Sequence, residues 1–399
     1  MLQTLRQRQA QQDPIRVGLV GAGSMGLAIA HQIALTPGME LVFVGDLDPS
    51  AAKRGAQAGA TEGSSPSAVE DVLGALASEA LAVDIFVEAT NAIHEANDYC
   101  VAALQNGAHV VLMNAEVDLA YGYPLRALAR EKGLVVTSDA GDQHGVLLRM
   151  IEEIQLWGFR LVQAGNMKGF LKRDATVASL EGEAAKRRLS AVQCCAYTDG
   201  TKLNIEMAIV ANATGMIPTQ PGMVGPKCGQ VEEVLGCFDF DTAPAEGAVD
   251  YVLGAVPGGG VYVVGHCDHP LQQFYLDYYK LGEGPYYVFY RPYHLCHLET
   301  TRAIARAALW GKSMFDLLPE PVAEVYAYAK RDLVPGDVFE HGLGDDLCYG
   351  QVDSIKNGTK GGHAPSVLLA PKFGSKTAMV KARGKDEPIL LSDLSPQPG

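Results

Sequence analysis

Several things are missing from this chain of 399 residues, and each absence removes a class of protein. None of its eight cysteines forms a C-x-x-C pair or a secreted-scaffold spacing, so a structural zinc site and a disulfide framework are not expected, and free thiols in a reducing compartment are. There is no run of Lys and Arg, and the net charge is -14, which argues against nucleic acid or an anionic membrane surface as the main partner. The apolar runs are broken by Gly, Asp or His well short of a membrane span. Residues 1–14, MLQTLRQRQAQQDP, lack an apolar stretch and read as a loose leader rather than a secretory signal, which makes the cytoplasm the expected location. No internal repeat or low-complexity tract is found. What remains is ordinary for a soluble globular protein: 48% hydrophobic and 20% charged residues, with a length suited to two or three domains.

The segment IRVGLVGAGSMGLAIAHQIALTPGMELVFVGDLDP alternates a buried strand at residues 15–20, a glycine turn, an Ala-rich helix and a second strand at residues 41–45. Further apolar strands follow in AVDIFVEATN, GAHVVLMNAEVD and GLVVTSDAGDQHG. The turn Gly21-Ala22-Gly23-Ser24-Met25-Gly26 is G-x-G-x-x-G with a strand before it and a helix after it, the context a dinucleotide pyrophosphate needs. Gly21 permits the turn, Gly23 admits the pyrophosphate and Gly26 lets helix and strand approach. Asp46 follows the second strand where an acidic residue meets an adenosine ribose, which favours NAD; Lys53 and Arg54, just beyond, suit the 2′-phosphate of NADP instead. Thr90, Asn91 and Asn114, at later strand ends, are candidates to line the nicotinamide and its ribose, or else simple strand-end caps.

After about residue 150 the texture turns to longer aromatic-rich segments, DYVLGAVPGGGVYVVGHCDH and GEGPYYVFYRPYHLCHLE, with a helix in LETTRAIARAALWG and a third piece opening at PVAEVYAYAKRDLVPGDVF. The tail SIKNGTKGGHAPSVLLAPKFGSKT is punctuated by Gly, Lys and Pro and is expected to be partly mobile. In AYTDGTKLNIEMAIVANATG, an apolar helix carries Asp199, Lys202 and Glu206 at i, i+3 and i+7 on one stripe. A lysine on such a helix is normally paired or meets a ligand, so Lys202, poised by Asp199 and Glu206, is read as a proton donor to a carbonyl oxygen or as an anchor for an anionic substrate, with a surface ion pair as the bland alternative. Arg291, His294, His297 and Glu299 form a second polar cluster. Arg291 suits a phosphate or carboxylate; His294 and His297 have a metal-compatible i, i+3 spacing but no evident third ligand, so the metal question stays open.

The opening, HVVLMNAEVD, the lysine-bearing helix and KLGEGPYYVFYRPYHLCHLE together resemble the homoserine-dehydrogenase-like oxidoreductases. TDGTKLNIEMAIVANATG and GPYYVFYRPYHL resemble the subgroup of DXR-like reductoisomerases, which convert 1-deoxy-D-xylulose 5-phosphate to 2-C-methyl-D-erythritol 4-phosphate with NADPH in isoprenoid biosynthesis. The similarity spans residues 14 to 340, and AYAKRDLVPGDVF is similar to the opening of a SAF-type module. Two departures stand out: Ala115 and Glu116 follow Asn114 where homoserine dehydrogenases carry a lysine, and the tail after Val338 leaves the SAF pattern. The fold implied is α/β. It comprises a Rossmann domain (14–150), an α+β catalytic and dimerisation domain (151–318) whose last helix returns to the Rossmann domain, and a short β-rich SAF-like region (319–399). The resemblance implies NADP as cofactor with NAD as alternative, a small phosphorylated substrate and a homo-oligomer, dimer or tetramer. Lys202, Asp199, Glu206, His294 and Arg291 are the expected catalytic residues. A dehydrogenase of another small aldehyde or hydroxy-ketone, and a nucleotide sensor without turnover, are the alternatives.

Overall fold

The computed structural model describes residues 1–187, 189–372 and 375–395. They form two compact units, Met1–Gly145 with Leu295–Asp316, and Val146–His294 with Leu317–Gly399. Among the described residues no helix is long and apolar enough to cross a membrane.

The first unit is built on six strands, β1 (Ile15–Val20), β2 (Met39–Gly45), β3 (Ser67–Val69), β4 (Ile85–Glu88), β5 (His109–Leu112) and β6 (Val136–Ser138), in the order β3-β2-β1-β4-β5-β6. Every pairing is parallel. A parallel sheet is covered on both faces, so its strands read as unbroken apolar runs. Val17, Leu19, Ile85 and Val87 enter one core, and Phe43, Phe86, Val110 and Leu112 the other. β3, three residues with an exposed Ser67 and Ala68, carries no such run and is invisible in the sequence. The helix Cys296–Trp310 belongs to this unit, where Ala303, Ile304 and Ala307 share a core with Ile29, Ala30 and Ile33. The strand order reverses between β1 and β4, the point at which doubly wound sheets open a crevice at their carboxyl ends. The leader expected to be loose is instead a helix, Leu2–Ala10, whose Leu5 lies in the same core. One buried leucine among Gln and Arg leaves no periodic stripe to read.

The second unit holds β7 (Arg160–Lys168), β8 (Ala248–Leu253), β9 (Val261–His266) and β10 (Tyr286–Arg291) in the order β10-β9-β7-β8, parallel only between β7 and β8. A hairpin of β11 (Ala323–Ala329) and β12 (Cys348–Ser354) follows, with a separate small core of Ala327, Leu333, Phe339, Leu369 and Ile389. The helix Thr201–Thr214 touches both the four-stranded sheet and the hairpin, which explains why it is apolar all round. Three of its polar residues serve the hairpin and the residue leading into it. Thr201 Oγ1 accepts the Gly350 N–H and Asn204 Oδ1 the Val352 N–H, each at 2.9 Å, and Asn212 Oδ1 accepts from Val322 and Ala323 at 2.8 and 3.0 Å. Edge amides that a sheet leaves open are thus satisfied by side chains of one helix. Of the punctuated tail, Phe373 and Gly374 lie outside the described residues; its described part includes a helix, Ile355–Gly361, and buries Ala364 and Leu369.

Candidate active site

At the end of β1 the chain turns at Gly21, whose φ of +87° is left-handed. A Cβ on Gly21 would stand 2.4 Å from the Ala89 carbonyl oxygen, and one on Gly26 would stand 1.7 Å from the Gly21 oxygen. Those two glycines are demanded by the fold. Gly23 is not: a Cβ there meets no protein atom within 4 Å. Gly23 is also the N-cap of the Ser24–Leu35 helix, with no side-chain cap, so no side chain competes for the first-turn N–H groups at the positive end of the helix. The turn therefore fits a dinucleotide pyrophosphate, with Ser24 and Met25 in the first turn.

Asp46, at the end of β2, accepts the Ala22 N–H at 2.6 Å through Oδ2 and the Asp48 N–H at 2.9 Å through Oδ1, which holds its carboxylate beside the glycine turn. Asp48 in turn caps the Pro49–Ala58 helix, and Arg54 stands 3.7 Å from it; Lys53 and Arg54 are exposed. At the end of β4, Glu88 is fully buried. Burial pushes its carboxyl up to about 8 against the pull of hydrogen bonds from Thr90. Its Oε1 accepts the Thr90 N–H at 2.7 Å, while Oε2 has no partner among the described residues. Asn114, at the end of β5, caps the Ala115–Glu131 helix and donates to the carbonyls of Thr90 and Ala92 at 3.0 and 2.7 Å. Its amide thereby braces the loop that presents Thr90 and Asn91.

In the second unit, Asp199 stands before the helix rather than on it: Gly200, with φ of +92°, is the N-cap of Thr201–Thr214. Asp199 Oδ1 accepts the Thr201 N–H at 2.8 Å. Its other oxygen lies 2.8 Å from the ammonium of Lys330, and both side chains are buried. That ammonium also donates to the carbonyls of Ala175 and Asp345 at 2.8 and 2.6 Å and to Cys195 Sγ at 3.3 Å. Burial pushes the Asp199 carboxyl up and Lys330 pulls it back. The expected stripe of Asp199, Lys202 and Glu206 is corrected accordingly, since the cation paired with Asp199 is Lys330, supplied from beyond β11. Lys202 is half-buried in the first helical turn, and Glu206, one turn on, is buried and accepts from Asn166 Nδ2 at 3.1 Å.

The other cluster sits at the carboxyl end of β7. The Gly260 carbonyl accepts the Met167 N–H at 3.0 Å, and the neighbouring Gly259 carbonyl accepts from His294 Nδ1 at 2.8 Å. That bond fixes the proton on Nδ1 and leaves Nε2 as the acceptor of the neutral ring. The Arg291 guanidinium lies 4.6 Å from the Tyr293 ring centroid. His297 and Glu299 lie on the Cys296–Trp310 helix of the first unit, so the i, i+3 histidines fall in different units. Burial holds His297 below the ordinary histidine range.

Residues 141–300 match the catalytic domain of oxidoreductase DRL, and residues 21–137 match the NAD-binding domain of homoserine dehydrogenase. The chain is a homoserine-dehydrogenase-like oxidoreductase of the DRL type. It is 28% identical over 151 residues to a homoserine dehydrogenase of Bacillus subtilis, 35% of this chain and 33% of that protein. The chain thus spans about a third of the length of the curated relative it matches. Among solved structures, a myo-inositol dehydrogenase from Lactobacillus casei in complex with NAD(H) and myo-inositol is 16% identical, covering 69% of this chain and 74% of that one at a TM-score of 0.44. A putative myo-inositol dehydrogenase from Sinorhizobium meliloti is 14% identical, covering 77% and 92% at 0.43.

In this DRL-type chain the turn residues, Asp46, Thr90, Asn91 and Asn114 gather at the carboxyl ends of β1, β2, β4 and β5. Lys202 and Glu206 share the helix of the second unit, and Arg291 and His294 share a sheet corner there. Sequence reasoning missed Glu88, Asn166, Lys168 and Lys330. Glu88 has a signal, an acid closing the apolar run IFVE, and so do Asn166 and Lys168, alternate polar residues ending an apolar strand. Lys330 has none, because its partner lies 131 positions away (Asp199 to Lys330).

Proposed function

We propose that this DRL-type enzyme reduces the carbonyl of a small phosphorylated hydroxy-ketone or aldehyde with a nicotinamide cofactor, and that Lys202 supplies the proton the carbonyl oxygen takes up. The observation that carries the reading is the placement of Lys202 in the first turn of the Thr201–Thr214 helix, one turn before the buried Glu206, on a helix whose N-terminus the Asp199–Lys330 pair secures. When bound at the glycine turn, the cofactor supplies the hydride. Residues 21–26 hold its pyrophosphate, Asp46 its adenosine ribose, and the loop braced by Asn114 its nicotinamide end. Glu206, held by Asn166 of β7, positions Lys202 from the adjacent turn. Reduction of 1-deoxy-D-xylulose 5-phosphate after its carbon skeleton rearranges is the specific reaction this reading names first. Residues 319–399 are read as the SAF-like ending, and the enzyme as a cytoplasmic homo-oligomer, in keeping with eight free cysteines.

Cofactor choice turns on Asp46. Swinging its carboxylate out to admit a 2′-phosphate forfeits both backbone hydrogen bonds, and Arg54 is drawn toward Asp48. This supports NAD over NADP, against the expectation that Lys53 and Arg54 raise. The test of the whole reading is steady-state kinetics on Lys202→Met with 1-deoxy-D-xylulose 5-phosphate and a panel of phosphorylated aldehydes. Loss of a positioned proton donor lowers kcat about 10²–10⁴-fold. A Lys202→Met enzyme with native kcat and KM on the substrate the wild type turns over refutes the assignment.

A further inference from the structure

Two cysteines of the second unit meet where the proposed reaction uses neither. Residues 226–230 run beside the end of β8, with the Cys228 N–H donating to the Leu253 carbonyl at 2.9 Å and the Val256 N–H to the Gly229 carbonyl at 3.0 Å. Two short helical turns, Val231–Glu233 and Val234–Cys237, then carry Cys237 back onto that segment. Glu233 ties the return together, because its Oε2 accepts the N–H groups of Gly229 and Gln230 at 3.0 and 3.2 Å. The Cys228 thiol donates to the Gln230 carbonyl at 2.8 Å, and the Cys237 thiol reaches the carbonyl of Lys227, the residue before Cys228, at 3.8 Å. Both thiols thus hang on one short segment, and Cys237 packs against the core that holds Cys228, Val231 and Val234. The Cys228 thiol is pushed up to about 12, first by burial and then by the hydrogen bond and charge of the Cys237 sulfur.

The two differ in access. Cys228 is 6% exposed and Cys237 is half-buried, whereas Cys100, Cys195 and Cys348 are sealed in the interior. An open cavity of about 560 Å³, lined by Cys228 with Lys227, Phe170, Leu171 and Leu253, lies at the carboxyl ends of β7 and β8 and admits a small oxidant beside the pair. An accessible thiol next to a buried one is the arrangement in which the first reacts and the second closes the bond.

We propose that Cys228 and Cys237 form a redox-modification site, a dithiol that a hydroperoxide converts to a reversible disulfide. The Cys237 thiolate attacks hydrogen peroxide, the O–O bond breaks, and one oxygen stays on sulfur as a sulfenic acid while the other leaves as hydroxide and is protonated to water. The Cys228 thiol then attacks the sulfenic sulfur; the S–O bond breaks, the Sγ–Sγ bond forms, and the thiol proton leaves with the hydroxyl as a second water. Two thiols are oxidised by two electrons and one peroxide is reduced, and a dithiol reductant returns both thiols. The bond ties the wall of the cavity to the helical turn behind it. In a reducing compartment such a bond is transient and sensing rather than structural.

The test treats the folded full chain with hydrogen peroxide, removes the oxidant with catalase, alkylates the remaining thiols in denaturant, and digests without reduction using trypsin and a glutamyl endopeptidase. Cleavage after Lys227, Glu233 and Glu246 puts Cys228 and Cys237 on separate peptides, which travel together in mass spectrometry only when linked. The linked species should dominate after peroxide and separate after dithiothreitol, with the other cysteines still alkylated. Cys228→Ser should give no link and leave a Cys237 sulfenic acid that dimedone traps, and Cys237→Ser should leave Cys228 alkylated. Melting curves establish that these variants are folded, with alanine in place of serine if one does not melt cooperatively. Separate peptides with both thiols alkylated, linkage that forms only in the unfolded chain, or Cys237 advancing to sulfinic acid without linkage each overturns the proposal and leaves the oxidoreductase reading untouched.

Discussion

Replacing Lys330 by Met should be the most damaging single change outside the glycine turn. Both members of the Asp199–Lys330 pair are buried, with side-chain exposures of 0% and 2%, and the ammonium holds two carbonyls and a thiol besides the carboxylate. Methionine fills much the same volume but leaves Asp199 as an uncompensated buried charge, a change that costs about 3–5 kcal/mol. At roughly 2–4 °C per kcal/mol for a unit of this size, the second unit should melt roughly 6–20 °C lower. The loss should depend on pH in a definite sense. Burial already raises the Asp199 carboxyl, and removing the ammonium raises it further. A carboxyl whose folded pKa exceeds its unfolded value adds stability that is complete below the unfolded value and disappears as pH rises through the folded one, so the deficit of Lys330→Met should be smallest in acid and largest above neutrality. Adding Asp199→Asn to Lys330→Met removes the stranded charge and should recover part of the loss, although the Ala175 and Asp345 carbonyls still lack a donor. Calorimetric melting of the single and double variants at pH 5.5 and 8 is the assay. A single variant within about 1 kcal/mol of wild type at both pH values, or a double variant no more stable than the single one, refutes the reasoning.

Gly23→Val should abolish cofactor binding in a calorimetric titration while leaving the melting temperature near native, because its Cβ meets only space the protein does not fill; Gly26→Ala, whose Cβ would strike the Gly21 oxygen, should fail to fold natively. Glu88→Gln should leave stability little changed at pH 5 and raise it at pH 8.5, since the wild-type carboxyl, raised by burial to about 8, loses its stabilising proton over that interval; equal melting shifts at both pH values speak against a buried protonated acid. Asp46→Ser should weaken NADH binding and narrow the preference for NADH over NADPH, and a wild type that prefers NADPH shows that Asp46 swings out despite its two amide contacts.

The first unit was readable because parallel strands and a glycine turn leave local signatures. The run at residues 15–20 is apolar because both faces are covered, and the places of Gly21 and Gly26 are set by contacts within a few residues or with the adjacent strand. The lysine-bearing helix was readable only as far as its own periodicity goes. Lys202 and Glu206 share a stripe because α-helical geometry puts i and i+4 together, and that holds in the fold. Asp199 appeared to join them because the same arithmetic was carried two residues before the helix start, whereas Gly200 turns left-handed there and sends Asp199 to Lys330 instead. The polar residues Thr201, Asn204 and Asn212 had no evident purpose in a largely apolar helix, since the N–H groups that donate to them belong to a hairpin and its lead-in more than a hundred residues further along. That same hairpin explains why the lysine helix can be buried all round and still be polar at Thr201, Asn204 and Asn212: the C-terminal region supplies the N–H groups those side chains accept, and Lys330, from the same region, neutralises the Asp199 carboxylate at the helix's N-terminal end.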